Sequence, residues 1–404
     1  MANRPPARTD VNRSAVLAHL GAQGAASRAD LARFLNVSPA LMTQLVKDLI
    51  ADGLVQELDV APSGGGRPAR LLGLVSSAGR AVGAKIAPDH IAFVEMEIDG
   101  SVRRSASEPY DARSSSYLAD LVALFHDFVD RSDDSTLLGV GVGVSGSVNR
   151  RDIGLVESEE FDWHQAPIGA TLRRELGLPV LIENNVNALA VAERLYGMGR
   201  QHDDFLVLTI GTGVGAGFVV DGSVLRGHSG GAGEIGHLPV QYTGGILGAA
   251  GLHPLETLIG EGALVQAARR QGIIPERTGM AGLLAAANAG DSKAASVFAA
   301  AGHLLGLALA GVVHVLDPEI VLVLGEGVAA WRHWSYGFEP ALRSTLLPSR
   351  RGIEVAVESW QDDGWARGAA ALVLSTPFDS DGVAGDQGRL VRERLVEQSA
   401  AAQD

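Results

Sequence analysis

Between Ser38 and Ala51 the apolar residues Leu41, Met42, Leu45, Val46 and Leu49 recur at helical spacing on one stripe, and Ala40, Thr43, Gln44 and Lys47 fall on the opposite side. Upstream, Val11 to Leu20 predicts a helix closed by Gly21, and Ser27-Arg28-Ala29-Asp30 starts a short helix with Leu31, Phe34 and Leu35 facing inward. Asn36-Val37 is the tight turn between the short helix and the next. Ser38 caps that next helix, with Pro39 at its first position. The apolar period then changes from helical to two. Leu54 to Leu58 alternates like a strand, Ala69 to Leu74 resembles its returning partner, and Pro62-Ser63-Gly64-Gly65-Gly66-Arg67-Pro68 lies between them. Two short helices at a sharp turn, followed by a hairpin with a glycine-rich tip, predict a winged helix-turn-helix over residues 1–75.

Past a joint at 75–80 the pattern becomes that of an α/β protein. Ala81 to Ala87 and His90 to Ile98 read as strands, followed by an Asp99-Gly100 turn into Ser101-Val102. Phe205 to Ile210 and Gly215 to Val220 repeat the arrangement, with Asp221-Gly222-Ser223-Val224 at the matching turn. The repeat predicts a duplicated mixed α/β lobe, and a ligand site in the cleft between the copies. Ser114 to Arg131, Leu255 to Arg270, Ala281 to Ala289, Asp291 to Leu316 and Asp362 to Leu374 read as helices. Leu137 to Val144 and Glu319 to Leu324 read as buried strands. The expected organisation is lobe one over 81–200, lobe two over 201–361, residues 362–376 packing back on lobe one, and a flexible tail over 377–404 whose one candidate element is a short helix from Leu390.

Charge sharpens this division. Residues 1–75 hold eight Arg or Lys against six Asp or Glu, a balance of +2, so within the net charge of −14 the rest of the chain carries −16. A mildly basic head on an acidic body fits a local module that binds double-stranded DNA. The expected contacts are Arg28, Ser38, Ala40, Thr43, Gln44 and Lys47 around the second helix of the motif, and Gly66, Arg67 and Pro68 at the wing tip. Gln44 and Thr43 would read base edges and Lys47 would lie near phosphate; Arg67 can enter a minor groove. With zero cysteines there is no disulfide, thiol nucleophile or thiolate metal site. No apolar run approaches the roughly 18 residues that span a bilayer, so no membrane partner and a cytoplasmic location are expected.

The candidate chemistry begins where the apolar run Pro179-Val180-Leu181-Ile182 empties into Glu183-Asn184-Asn185-Val186-Asn187. A strand end meeting a helix start is where open α/β sheets place ligands, and amides beside an acid suit a molecule rich in hydroxyls. Thr209-Ile210-Gly211-Thr212-Gly213-Val214-Gly215-Ala216-Gly217 is either a phosphate cradle of backbone N–H groups or a hairpin that needs glycine. Gly233-Glu234-Ile235-Gly236-His237 places an acid and an imidazole three residues apart. A metal set of His228, Glu234, His237 and His253 matches no zinc spacing.

With these motifs in hand, the chain resembles the ROK proteins, the repressors, open reading frames and sugar kinases of the actin-like ATPase superfamily. The resemblance rests on the winged head with its Gly-Arg-Pro tip, Gly139 to Gly146, Asp162-Trp163, Glu183 to Asn187, Gly211 to Gly217, Gly233 to His237, Asp317-Pro318-Glu319 and Gly368-Ala369-Ala370. It implies a two-lobed actin-like body and sugar ligands at Asn184, Glu234, His237 and Glu256. Three departures qualify it. The aspartate that serves the family's kinases as base is Asn185, which still offers hydrogen bonds to a sugar hydroxyl. The first phosphate loop aligns with Lys85-Ile86-Ala87-Pro88-Asp89 and is lost. The three zinc-binding cysteines fall on Leu247, Ala249 and Pro254. An amide is no base near neutral pH, and losing a general base costs on the order of 10²–10⁴ in rate. The expectation is therefore a sugar-responsive repressor rather than an enzyme, with neither zinc nor ATP. Its effector would be a sugar or sugar phosphate, and it would act as a homodimer or homotetramer on a palindromic operator. The alternative is an ATP-dependent sugar kinase carrying a DNA-binding head.

Overall fold

The computed structural model describes residues 8–51, 53–60, 70–75, 78–131, 137–149, 154–361, 363–378 and 385–401. The chain divides into two compact units, residues 1–200 with 365–404, and residues 201–364.

Unit one opens with the head: α1 (Arg8–Gln23), β1 (Ala26–Ser27), α2 (Arg28–Phe34), α3 (Pro39–Ala51), β2 (Val55–Val60) and β3 (Arg70–Leu74). Ser27 and Asp30 form a reciprocal capping box, Ser27 Oγ accepting the Asp30 N–H at 3.2 Å. Asn36 takes up φ 49° in the turn that follows. At α3, Ser38 Oγ accepts the Leu41 N–H at 3.2 Å, the expected cap. Met42, Leu45, Val46 and Leu49 are buried, with Leu31 of α2 and Val16, Leu17 and Leu20 of α1. Two inward assignments do not hold: Phe34 is 64% exposed and Leu41 39% exposed. α2 has seven residues, and its buried side is filled by Leu31 and Ala32; Phe34, at its end, instead lays its ring on His19 with centroids 4.4 Å apart. Leu41 sits roughly 90° from the centre of the buried stripe of α3, at about 100° per residue.

The body continues with β4 (Arg80–Ile86), β5 (His90–Glu97), β6 (Val102–Pro109), α4 (Tyr117–Asp130), β7 (Leu137–Val144), β8 (Ser147–Asn149), β9 (Leu155–Ser158), β10 (Trp163–Ala166), α5 (Ile168–Leu176), β11 (Val180–Asn184) and α6 (Asn185–Leu195). Its sheet runs β11-β7-β4-β5-β6, with β4, β7 and β11 parallel and β5 and β6 antiparallel to their neighbours. Unit two comprises β12 (Phe205–Ile210), β13 (Val214–Val220), β14 (Ser223–Val224), β15 (Pro239–Tyr242), β16 (Gly251–Pro254), α7 (Glu256–Ile259), α8 (Glu261–Arg270), α9 (Met280–Asn288), α10 (Ser292–Leu316), β17 (Ile320–Leu324), α11 (Trp331–Thr345) and β18 (Glu354–Val357). Its sheet runs β14-β13-β12-β17-β18, again two antiparallel steps and then two parallel ones. Strand for strand the second sheet repeats the first, so the Asp-Gly-Ser-Val turns mark a real duplication of topology. The single helix expected over Leu255–Arg270 is two, separated at Gly260, whose φ −63° and ψ 157° lie outside the helical region.

The chain then returns to unit one as α12 (Gly364–Leu374) and α13 (Gly385–Ala401). α12 lies directly on the sheet, facing Gly83 and Gly141 through Ala366, Ala369 and Ala370. α13 corrects the expectation of a flexible tail over 377–404. Its spaced apolar residues Val391 and Leu395 are buried with head and sheet residues in one core. Gln387 accepts the Val180 N–H at 3.2 Å, and Arg394 donates to the Leu137 carbonyl at 3.1 and 3.2 Å. The helix is longer than the short one from Leu390 that the residue pattern offers, and its few apolar side chains suffice to dock it. Leu395→Ala should lower unfolding free energy by about 2–3 kcal/mol in a urea titration.

α10 corrects a second expectation, because by length and composition it could cross a membrane. Its buried residues, Phe298, Leu305, Leu309 and Val313 among them, instead form the core of unit two with Trp334 and Phe338 of α11. α11 is a helix that the sequence pattern does not announce. Pro340 interrupts its helical signal, although Trp334, Phe338 and Leu342 are buried at four-residue spacing.

Candidate functional site

In unit one the site is built at the β11–α6 junction. Val180, Leu181 and Ile182 are buried, and Glu183, at 1% exposure, is the last side chain enclosed before the strand emerges. Asn184 is the N-cap of α6: its Oδ1 accepts the N–H groups of Val186 at 2.9 Å and Asn187 at 3.3 Å. Its Nδ2 donates to the Gly146 carbonyl at 2.9 Å. The helix end and the turn after β7 therefore already hold most of this amide, leaving one amide hydrogen for a ligand. Asn185, the first residue of α6, is half-buried and takes part in no side-chain hydrogen bond recorded among the described residues; it stands against Gly143, whose missing Cβ would lie 3.6 Å from it. Below them Glu183 Oε1 accepts the Asn184 N–H at 3.0 Å and the Asn187 side-chain amide at 3.3 Å. Asn187 is fully buried, and its Oδ1 has no hydrogen-bond partner among the described residues. The sequence pattern places Glu183 and Asn187 in the cluster but gives no sign of this supporting role. Lys85 on β4 lies in register with Gly143 on β7, which pairs with Glu183 on β11, and its ammonium stands 4.9 Å over the Trp365 ring.

In unit two the glycine-rich stretch is a hairpin. β12 and β13 pair from Phe205↔Val219 to Ile210↔Val214, and the Gly211 N–H donates to the Gly213 carbonyl at 3.0 Å. Glu256, at the start of α7, sends Oε2 into this turn, where it accepts the Val214 N–H at 2.9 Å. A Cβ on Gly213 would lie 2.6 Å from the same oxygen, so only glycine leaves room for the carboxylate. Gly233, at φ 96°, accepts the Ala216 N–H at 2.9 Å and starts the 3-10 turn Ile235–His237, which packs on both β13 and α7. Glu234 precedes that turn and His237 ends it, and both are exposed.

Residues 238–254 form an ordered hairpin of β15 and β16, in register from Pro239↔Pro254 to Tyr242↔Gly251. Leu247 is buried in the core of unit two; its N–H reaches the Tyr242 hydroxyl at 3.3 Å and its carbonyl accepts from Arg270 at 2.8 Å. An apolar plug with two hydrogen bonds holds this segment.

In the head, Ser38, Ala40, Thr43, Gln44 and Lys47 are all exposed, a polar and small-residue face on α3. Thr43 Oγ1 donates to the Pro39 carbonyl at 2.8 Å and Gln44 Nε2 to Asp48 at 2.7 Å, so both side chains bond within their own helix. Arg28 is tied to Glu57 at 2.7 Å, and Arg70 holds the other oxygen of that carboxylate. Hydrogen bonds from Arg28 and then Arg70 hold the Glu57 carboxyl below its ordinary range. Arg28 thus joins α2 to the wing strands. Gly66, Arg67 and Pro68 lie outside the described residues.

The ROK family profile matches residues 89–376, and the MarR family profile matches residues 9–67. The chain is similar to a xylose repressor of Caldicellulosiruptor bescii, 25% identical over 319 residues that cover 74% of this chain and 78% of the relative. It is also similar to a glucokinase of Thermotoga maritima, 30% identical over 259 residues that cover 60% of this chain and 81% of the enzyme. Among solved structures it resembles a ROK family transcriptional regulator, described as a homologue of the Escherichia coli MLC protein. There the TM-score is 0.79 and the identity 25%, with 96% of this chain and 99% of that one covered.

Proposed function

The chain belongs to the ROK family, and we propose that it is a sugar-responsive, DNA-binding transcriptional repressor without phosphoryl-transfer activity. The observation that carries this reading is the single core shared by the head and the sugar-site end of unit one. α1 of the head packs on α6, and Val16, Leu17 and Leu20 share their core with Ala188 and Leu181. α6 begins at Asn184 and Asn185, so a ligand that pulls on its first turn acts on an element the head rests against. Similarity to a xylose repressor and to a whole-length regulator structure supports the same reading.

The residues proposed to hold the sugar are Asn184 and Asn185 in unit one and Glu234, His237 and Glu256 in unit two. DNA would be met by α3, through Gln44 and Thr43 at base edges and Lys47 at phosphate, and by the wing. A palindromic operator needs two heads, hence a homodimer or homotetramer, and the protein would act in the cytoplasm. No zinc or ATP is assigned. The proposal against catalysis rests on Asn185 in the place of the kinases' base and on Lys85 in the place of their first phosphate loop, either of which removes a part that phosphoryl transfer uses. The glucokinase relative keeps an enzymatic reading in view, and an ADP-release assay across hexoses decides it: turnover above the protein-free background would overturn the repressor-only assignment.

DNA binding is tested by fluorescence anisotropy on a duplex selected from a random library, with and without sugars and sugar phosphates. Lys47→Ala should weaken binding evenly across sequences and reduce the salt slope by about one, whereas Gln44→Ala should cost about 1–3 kcal/mol at one base position and relax specificity there. Failure of every sugar tested to change operator affinity would sink the sensor reading.

A further inference from the structure

We infer that Glu326 is the residue that closes the glycine turn at 211–213 to nucleotide phosphates, by placing the protein's own carboxylate where an anion would sit. A turn of this kind takes a phosphate through free backbone N–H groups. Here two of those groups, one at each end of the turn, are spent. The Gly211 N–H closes the turn on the Gly213 carbonyl, and the Val214 N–H donates to Glu256 Oε2 at 2.9 Å. The Gly211 carbonyl accepts the Glu261 N–H at 3.2 Å, which fixes the turn against the start of α8.

A second carboxylate arrives from β17. Gly325 (φ 97°) and Gly327 lie so close to Ile210 at the foot of the turn that a Cβ on Gly327 would stand 2.9 Å from the Ile210 carbonyl oxygen. Glu326 sits between these two glycines, and its Oε2 occupies the space that a side chain on Gly211 would need. The turn is thus flanked by Glu326 at Gly211 and Glu256 at Gly213. Both carry the sign of charge a phosphate carries, and even at an exposed carboxylate such as Glu326 like charges a few ångströms apart repel. The neighbouring cavity, about 520 Å³, continues the theme. Its lining includes Glu326, Glu358, Ser359 and Trp360. By residue pattern alone this turn is either a phosphate cradle or a hairpin. The geometry makes it a hairpin that carries its own anion.

Closure of the turn is independent of the repressor reading, and a chain that failed to bind DNA would leave its test unchanged. The test is calorimetric titration of the full-length protein with ADP in EDTA, so that no divalent cation bridges carboxylate and phosphate. The wild-type protein should bind ADP more weakly than about 1 mM. Glu326→Gly, which removes the carboxylate, should bind at least about tenfold more tightly, and the isosteric Glu326→Gln should gain in the same direction. Glu358→Gln, which removes a carboxylate from the cavity but none from the turn, should change little. Equal ADP affinity in wild type and Glu326→Gly overturns the inference. So does an absence of gain in Glu326→Gln at an unchanged melting temperature, or a gain in Glu358→Gln as large as that in Glu326→Gln.

Discussion

Gly141→Val is expected to prevent unit one from folding, with soluble yield lost or an unfolding free energy lowered by more than about 4 kcal/mol, a large part of a typical total of about 5–15 kcal/mol. A Cβ at Gly141 would collide with the backbone carbonyl of Ala369, and one at Gly83 with the carbonyl of Ala366 and, at 2.8 Å, the Cβ of Ala370. α12 therefore rests on the bare backbone of β4 and β7. Backbone cannot yield as a side-chain tip can, so the added isopropyl group would lift the helix off its sheet. Lifting it opens the core in which Ala366, Ala370, Leu372 and Val373 meet the head and α13. Gly262→Ala is the matched control. It lies in α8 with nothing within 4 Å of its added Cβ, so it should be neutral or stabilise by about 0.5–1 kcal/mol. Urea titrations of both variants, followed by far-ultraviolet circular dichroism, decide the matter; a Gly141→Val protein as stable as wild type would mean that α12 does not sit on this sheet.

What the sequence can reveal follows from how local each signal is. Ser27, Asp30, Ser38 and Pro39 act within four residues of themselves, so the two helices of the head and their turn are legible in the chain itself. The duplicated lobe is legible because Asp99 to Val102 and Asp221 to Val224 are the same hairpin chemistry in equivalent places of two sheets. Phe34 and Leu41 mislead because a hydrophobic stripe names a direction but not what fills it; Leu31 and Met42 take the inward places. The docking of α13 stays hidden because two apolar residues in a polar segment gain meaning only from the core that receives them. The same limit applies at the site. Asn184 is legible as a polar residue at a strand end, but the residue pattern does not say whether its oxygen faces a ligand or caps the following helix. Glu326 gives no signal at all, since its importance depends on β17 lying beside β12.

That double duty of Asn184 makes its replacement the most informative functional test. Asn184→Ala is expected to lower stability by roughly 1–3 kcal/mol, because two N–H groups of α6 lose their cap and the Gly146 carbonyl loses its donor. The response of operator binding to sugar should be lost in the same variant. A structural defect alone could produce that loss, so Asn185→Ala separates the two effects. The Asn185 side chain holds no hydrogen bond recorded among the described residues, and its removal should leave stability within about 0.5 kcal/mol of wild type. If Asn185 meets a sugar hydroxyl, sugar affinity should still fall roughly three- to tenfold, the worth of one net hydrogen bond. Thermal denaturation with and without sugar reads both quantities on one sample. Wild-type protein should gain melting temperature with sugar, Asn185→Ala should start at the wild-type temperature and gain less, and Asn184→Ala should start lower and gain nothing. Full ligand-induced stabilisation in both variants would place the sugar away from the start of α6, and with it would go the physical path from ligand to the head through α1.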